Sequence, residues 1–171
     1  MSAHATAINH AQIDAAFTFT PENMTRFQEI LTRYPVKRAA LLPALWLVQR
    51  QLGWISRSAM IYVGGLLDLH PSKVYEVVTF YTMYQQLPVG KYHIQVCRTL
   101  PCMLRGAKKV TAHLKEKLGI GLGETTADKK FTLSEVECLG SCGTAPMFQL
   151  NDDFYENLTP AKIDEVLANC K

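Results

Sequence analysis

Cys97-Arg98-Thr99-Leu100-Pro101-Cys102 and, 35 residues further on, Cys138-Leu139-Gly140-Ser141-Cys142 hold four of the five cysteines of a 171-residue chain. Tyr92, Ile94 and Val96 alternate with His93, Gln95 and Cys97, the period-two pattern of a half-buried strand. Cys97 therefore falls where the chain leaves a sheet. A helix is expected next, from about Pro101 to Leu118, with Leu104, Ala107, Val110, Leu114 and Leu118 on one face and Gly119 ending it. That places Cys102 in a first helical turn, near unpaired N–H groups and the positive end of the helix dipole, where a thiol ionises more readily. The second pair begins where another strand, Phe131 to Cys138, ends, although Thr132 and Glu135 also fit a helical capping box. Gly140, Ser141, Gly143, Thr144 and Ala145 around it are small, so backbone amides can come close to whatever the sulfurs hold.

Two loops that each offer a close pair of thiolates are what a compact metal centre needs. Four thiolates plus inorganic sulfides make a [2Fe–2S] centre, and four thiolates alone make a structural zinc site. Neither pair is Cys-x-x-Cys, which weighs against a thiol-exchange enzyme, and no Cys-x-His unit exists for Rieske ligation. Spacing alone leaves iron–sulfur and zinc both open.

Outward from this centre, the region toward the N-terminus reads as helices. Thr20 is an N-cap with Pro21 in the first turn, and Met24, Phe27, Ile30, Leu31 and Tyr34 share a face until Pro35. A second helix covers about Arg38 to Leu52 and stops at Gly53, with Pro43 either in its first turn or kinking it. Ser56 caps a third through Leu67, and Pro71 opens a fourth to about Tyr81. Tyr62, Tyr75, Phe80, Tyr81 and Tyr84 are read as core and packing surface. Residues 1–18 have no pattern and are expected to be mobile, 19–86 to form a small helical bundle, and 87–171 a second domain. In that domain the loop from Gly119 to Lys130 is polar, Pro146 to Leu150 and Phe154 to Asn157 flank the turn Asn151-Asp152-Asp153, and Thr159-Pro160 starts a last helix. The expected order β-α-β-β-β-α is that of a thioredoxin-like fold, and the class is α+β.

A net charge of +3, with no clustered Lys/Arg face, argues against a nucleic-acid partner. The longest apolar run, Ala39 to Val48, is far short of the roughly 20 residues of a membrane span, so direct membrane insertion is not expected. No basic residue precedes Arg26, which speaks against a signal or organelle presequence. A reducing compartment follows, where paired cysteines serve as metal ligands or redox groups more than as disulfides.

Further stretches carry a family resemblance: Arg38-Ala39-Ala40-Leu41-Leu42-Pro43, Gly53-Trp54-Ile55, Val74-Tyr75-Glu76-Val77-Val78-Thr79-Phe80-Tyr81, Pro88-Val89-Gly90-Lys91-Tyr92, Gly123-Glu124-Thr125-Thr126 and Asn151-Asp152-Asp153. With the two cysteine loops, Val136-Glu137 included, they make nearly everything after residue 20 resemble the small thioredoxin-like iron–sulfur subunit of NADH:quinone oxidoreductase, respiratory complex I, often called its twenty-four-kilodalton subunit. The resemblance implies a [2Fe–2S] cluster on Cys97, Cys102, Cys138 and Cys142, one iron on the first pair and the other on the second. It implies electron transfer beside an FMN held by a larger, NADH-oxidising flavoprotein subunit, which the helical region embraces, within a complex of further subunits. No catalytic residue is expected on this chain, and its activity is that of an NADH dehydrogenase only within the complex. The implied location is cytoplasmic, peripheral to the inner membrane through that complex. Similar subunits occur in NAD-linked hydrogenases and formate dehydrogenases, which are the alternative assemblies; a zinc-stabilised interaction module is the alternative of another class.

Other residues have plainer readings. Gly119-Ile120-Gly121-Leu122-Gly123 follows a helix rather than a strand, so it is a connector and not a dinucleotide loop. Cys170 lies on the apolar face of the last helix as a buried thiol. His93 is a strand histidine satisfied by a neighbour, with support of the ligands as the other reading. Arg98 and Arg105 either face the centre, favouring its reduced state, or point to solvent. Pro146 is a candidate cis-proline, the position at which thioredoxin folds often carry one.

Overall fold

Proline and hydroxyl caps start most of the helices. A computed structural model describes residues 15–171, which divide into two units with the break between Pro88 and Val89. In the first, α1 (Pro21–Leu31) opens with the Thr20 hydroxyl accepting from the Asn23 amide, and α3 (Arg57–Leu66) with the Ser56 hydroxyl accepting from Ala59. These bonds satisfy amides that a helix start leaves unpaired. The expected second helix is two pieces, a 3₁₀ turn Lys37–Ala40 and α2 (Leu41–Leu52), which puts Pro43 in the first turn of α2, where its missing N–H costs nothing. Gly53 ends α2 at φ 86°, a left-handed value open to glycine. His70 precedes α4 (Pro71–Phe80).

Leu45, Val48, Ile55, Val63, Val74 and Val78 are fully buried in this unit. Each such side chain contributes about 1.5–3 kcal/mol relative to exposure. The segment expected to be mobile, 1–18, lies outside the described residues up to residue 14. Beyond that, Phe17 is buried, with its ring edge-on to Phe19 and Tyr62. The aromatic expectation is corrected in part: Tyr84 is buried and donates to the Leu42 carbonyl at 2.9 Å, whereas Tyr75, Phe80 and Tyr81 are exposed, Phe80 by 76%.

The second unit is a five-stranded sheet in the order β2-β3-β1-β4-β5, formed by β1 (Tyr92–Cys97), β2 (Glu124–Thr125), β3 (Phe131–Val136), β4 (Phe148–Leu150) and β5 (Asp153–Tyr155). β1 and β3 are parallel, with Tyr92 opposite Phe131 and Cys97 opposite Val136; the other pairs are antiparallel. The two-residue β2 was expected to be loop. β1 is buried on both faces, not half-buried: His93 and Cys97, at 8% and 2% exposure, are buried along with Ile94 and Val96. The single helix expected after Cys97 is two, α5 (Leu100–Leu104) and α6 (Ala107–Leu118), broken at Gly106, whose φ is 102°. Val110 and Leu114 of α6 join Ile94, Leu133 and Phe148 of the sheet and Ile163 and Val166 of α7 (Pro160–Asn169) in one core. Leu104, expected on that face, is 78% exposed because the break turns α5 away. The Ala145–Pro146 peptide, the candidate named from the sequence, is cis.

Candidate functional site

The parallel pairing of β1 and β3 delivers the two cysteine loops to one place. Both strands run the same way in register, so the chain leaves the sheet at Cys97 and at Val136 at the same end of the sheet. Cys97 is the last residue of β1, and Cys102 sits in α5; both are buried at 2% exposure. Cys138 lies two residues beyond β3, and Cys142 opens a 3₁₀ turn, Cys142–Thr144; both are exposed. Ala107, Ala145, Met147 and the partly buried Met103 and Leu139 pack with Cys97 and Cys102, an apolar wall that screens them from water.

The Thr99 hydroxyl, on the first loop, lies 3.3 Å from Cys97 Sγ. Thr99 also stands near Cys138 on the second loop, and the Leu139 and Met147 amides stand near Cys97 and Cys102, close enough to bias those thiols. The Gly140 amide donates to Cys138 Sγ at 3.4 Å. Gly140 has φ 83°, the left-handed conformation that turns this amide back on the sulfur two residues earlier.

Each pair holds one easily ionised thiol and one reluctant thiol. Burial pushes Cys97 up, but the bonds from Thr99, Leu139 and Cys102 outweigh it, and the group lies below its ordinary value. Burial, with the hydrogen bond to Cys97, pushes Cys102 up to about 11. The Gly140 amide, then Thr99 and Cys142, hold Cys138 low, and the bond to that partly charged sulfur raises Cys142. Amides that stabilise a thiolate stabilise an anionic ligand set as well.

These donors fit a cluster held in pairs. Cys138 Sγ and Cys142 Sγ are 3.9 Å apart. Two thiolates on one tetrahedral metal, each about 2.3 Å from it, stand roughly 3.8 Å apart. Among the described residues no three His, Cys, Asp or Glu side chains gather around one point.

A family model described as thioredoxin-like [2Fe-2S] ferredoxin matches residues 27–171. The chain belongs to this family. A subunit of the NADH-quinone oxidoreductase of Rickettsia conorii is 50% identical over 154 residues, 88% of this chain and 92% of that protein. The mitochondrial NADH dehydrogenase [ubiquinone] flavoprotein 2 of Dictyostelium discoideum is 49% identical over 158 residues, 91% of this chain and 64% of that protein. Among solved structures, an NAD+-reducing [NiFe]-hydrogenase in the air-oxidised state matches with TM-score 0.68 at 24% identity over 77% of this chain and 22% of that one, a likeness of fold.

The remaining residues sort as follows. His93 is buried with Nε2 2.8 Å from Ser134 Oγ, a strand histidine satisfied by a neighbour. Cys170 is buried, its thiol against the Val166 carbonyl and raised by burial. Arg98 is bound to Glu137, and Arg105 is exposed. Gly119 ends α6, as a connector does, and the Gly121 amide donates to Glu124. Sequence reasoning missed Thr99, whose hydroxyl lies against Cys97, and Glu156, whose carboxylate accepts from the Ser141 and Thr144 hydroxyls. Thr99 stood inside the quoted first loop, where a hydroxyl two residues past a cysteine is a signal; nothing in the sequence marks Glu156.

Proposed function

We propose that this protein is the electron-transfer subunit of the NADH-oxidising part of NADH:quinone oxidoreductase, with Cys97, Cys102, Cys138 and Cys142 holding a [2Fe–2S] cluster, one iron on each pair. The observation that carries the reading is that the parallel, in-register pairing of β1 and β3 brings both cysteine loops to one end of the sheet, in a chain 50% identical to an NADH-quinone oxidoreductase subunit over 88% of its length. When bound, the cluster takes up and returns single electrons. The chain's own contribution is the ligand set and its surroundings. Cys97 and Cys138 are held toward the thiolate by hydroxyl and amide donors, Cys102 is shielded by Ala107 and Met147, and Cys138 and Cys142 remain at the surface. That asymmetry makes the Cys138–Cys142 side the face toward a donor or acceptor.

The donor in this reading is an FMN on a partner flavoprotein subunit that oxidises NADH. The assembly is peripheral to the inner membrane on its cytoplasmic side; no described helix is long and apolar enough to cross a membrane. The fold likeness to a hydrogenase does not move the assignment to that assembly, because it speaks of fold alone.

Purification under anaerobic conditions, with assays of iron and acid-labile sulfide and an electron paramagnetic resonance spectrum after dithionite, tests the cluster. About two irons and two sulfides per chain with a signal on reduction are expected. A colourless, zinc-loaded protein would overturn it. Co-purification with a flavin-containing NADH oxidase from the native host tests the assembly, and isolation with hydrogenase subunits instead would replace it.

A further inference from the structure

The loop that carries Cys138 and Cys142 contains Gly140 and Gly143 and has little conformational preference of its own. Something outside the loop must fix it. Glu156, in the connection between β5 and α7, is half-buried beneath it. One carboxylate oxygen, Oε1, accepts from Thr144 Oγ1 at 2.7 Å and from Ser141 Oγ, and the two hydroxyls are 2.8 Å apart. Ser141 is the residue before Cys142, and Thr144 closes the 3₁₀ turn that Cys142 opens. The backbone beside Glu156 reinforces the grip: the Asn157 amide donates to the Thr144 carbonyl at 2.7 Å and Leu158 to Pro146 at 3.0 Å.

Among the described residues no cation forms an ion pair with the Glu156 carboxylate; Lys162 Nζ binds the Glu156 backbone carbonyl at 2.7 Å and offsets the charge only in part, from outside contact distance. A carboxylate placed for structure alone need not be left without a counter-ion in a half-buried position. Bonds from hydroxyls to a carboxylate are charge-assisted and stronger than neutral ones, which suits a clamp. The same charge disfavours arrival of an electron nearby, because reduction adds negative charge.

We infer that Glu156 is the positioning residue of the second ligand loop, clamping it through Ser141 and Thr144, and that its unpaired charge lowers the reduction potential of the group the cysteines hold. The inference rests on the function proposed above for the four cysteines.

The full chain, wild type and with Glu156→Gln and Glu156→Ala, separates clamp from charge. Glutamine keeps an acceptor for both hydroxyls and loses the charge; alanine loses both. The Gln variant keeps the wild-type resonance line shape and holds iron against a chelator as wild type does, while its midpoint potential moves positive. The Ala variant moves positive too, its line shape changes, and it releases iron on the order of 10-fold faster, the scale of lost support around a metal ligand. A Gln variant at the wild-type potential overturns the charge role, and an Ala variant with wild-type iron release overturns the clamp. Circular dichroism reports whether the Ala variant folds; if it does not, the Gln variant decides. If the wild type itself binds no iron, the proposed function fails, and amide exchange at Gly143, Thr144 and Ala145 in the same proteins still reads the clamp. Faster exchange in the Ala variant supports it, and unchanged exchange refutes it.

Discussion

Arg98, the residue after Cys97, grips Glu137, the residue before Cys138: Nε and Nη2 donate to Oε1 at 2.9 and 2.6 Å. The two ligand loops are thereby stitched across their bases, where Cys97 pairs with Val136. The hydrogen bond to Glu137, with its charge, raises Arg98 above its ordinary value and neutralises an arginine that would otherwise draw electrons toward the sulfurs. Glu137→Gln is expected to free that charge and move the midpoint potential of the centre positive, and Arg98→Ala to move it negative. Both shifts shrink as salt is raised, because both side chains are exposed and screened. The urea midpoint stays at the wild-type value in each, since exposed pairs contribute little to stability. Redox titration at low and high ionic strength checks this, and two variants that titrate like wild type would refute it.

The cysteines divide by burial as well as by pair. Serine at any of 97, 102, 138 or 142 is expected to lower the iron bound or alter the resonance spectrum, because each removes one of the four proposed ligands. Cys97→Ser and Cys102→Ser carry an added cost of about 1 kcal/mol in the metal-free protein, for a hydroxyl placed where only 2% of the residue is exposed. Cys138→Ser and Cys142→Ser, at the surface, do not. Cys170→Ala leaves both iron and spectrum unchanged; the residue caps the end of α7, with its thiol against the Val166 carbonyl in the core of the second unit. Loss of iron in the Cys170 variant would break the assignment.

What could be read in advance was whatever repeats with a period or sits at a cap. Thr20, Ser56 and Thr159 each accept from an amide three residues on, and the β1 pattern placed Cys97 at a strand end; the strand expected to run to Cys138 ends at Val136, two residues short. The misreadings have specific causes. Leu104 and Ala107 continue a helical face in spacing, but Gly106 between them takes a left-handed φ and breaks the helix, so Leu104 turns outward. Glu124–Thr125 is too short to show alternation and is held by pairing with Leu133 and Thr132. Phe80 and Tyr75 look like core by residue type, yet lie on the outer side of α4, away from Val74 and Val78. In the site, the four cysteines proposed as ligands stand out in the chain by their spacing, whereas Glu156 reaches Ser141 and Thr144 of their loop only through folding of the β5–α7 connection.

Two adjacent glycines in α3 should respond to alanine with opposite signs. A Cβ on Gly64 would stand 2.9 Å from the Leu69 carbonyl oxygen, a backbone atom that cannot easily move aside. The Leu69 amide donates to the Gly64 carbonyl at 2.9 Å, so the two segments are tied at that spot. Gly64→Ala is therefore expected to destabilise by about 1–3 kcal/mol, the usual range for overpacking. A Cβ on Gly65 meets nothing within 4 Å, and alanine there restrains the unfolded chain and favours the helix, a gain of about 0.5 kcal/mol. Urea unfolding of the two variants checks the pair, and equal signs would show that the packing at Leu69 is misjudged.

His93 makes the stability of the sheet depend on pH. Its ring is enclosed at 8% exposure, and burial lowers its pKa from 6.5 to about 4. On acidification the unfolded chain therefore takes up the proton first, so this residue's contribution is complete above the unfolded value and is lost as pH falls from 6.5 toward 4. Over that window the loss is on the order of 3 kcal/mol. Asp128, lowered by the Thr126 hydroxyl, and Asp164, lowered by His113, lose their contributions at lower pH, below the ordinary aspartate value of 3.8. His93→Gln keeps a polar group for Ser134 but cannot titrate. Wild type should thus lose stability relative to this variant between about pH 7 and pH 4.5. Urea midpoints of both proteins in the same metal state, taken across that interval, measure the difference. A difference that stays constant with pH would mean the imidazole protonates as readily folded as unfolded, and the enclosure of His93 would then have no electrostatic consequence.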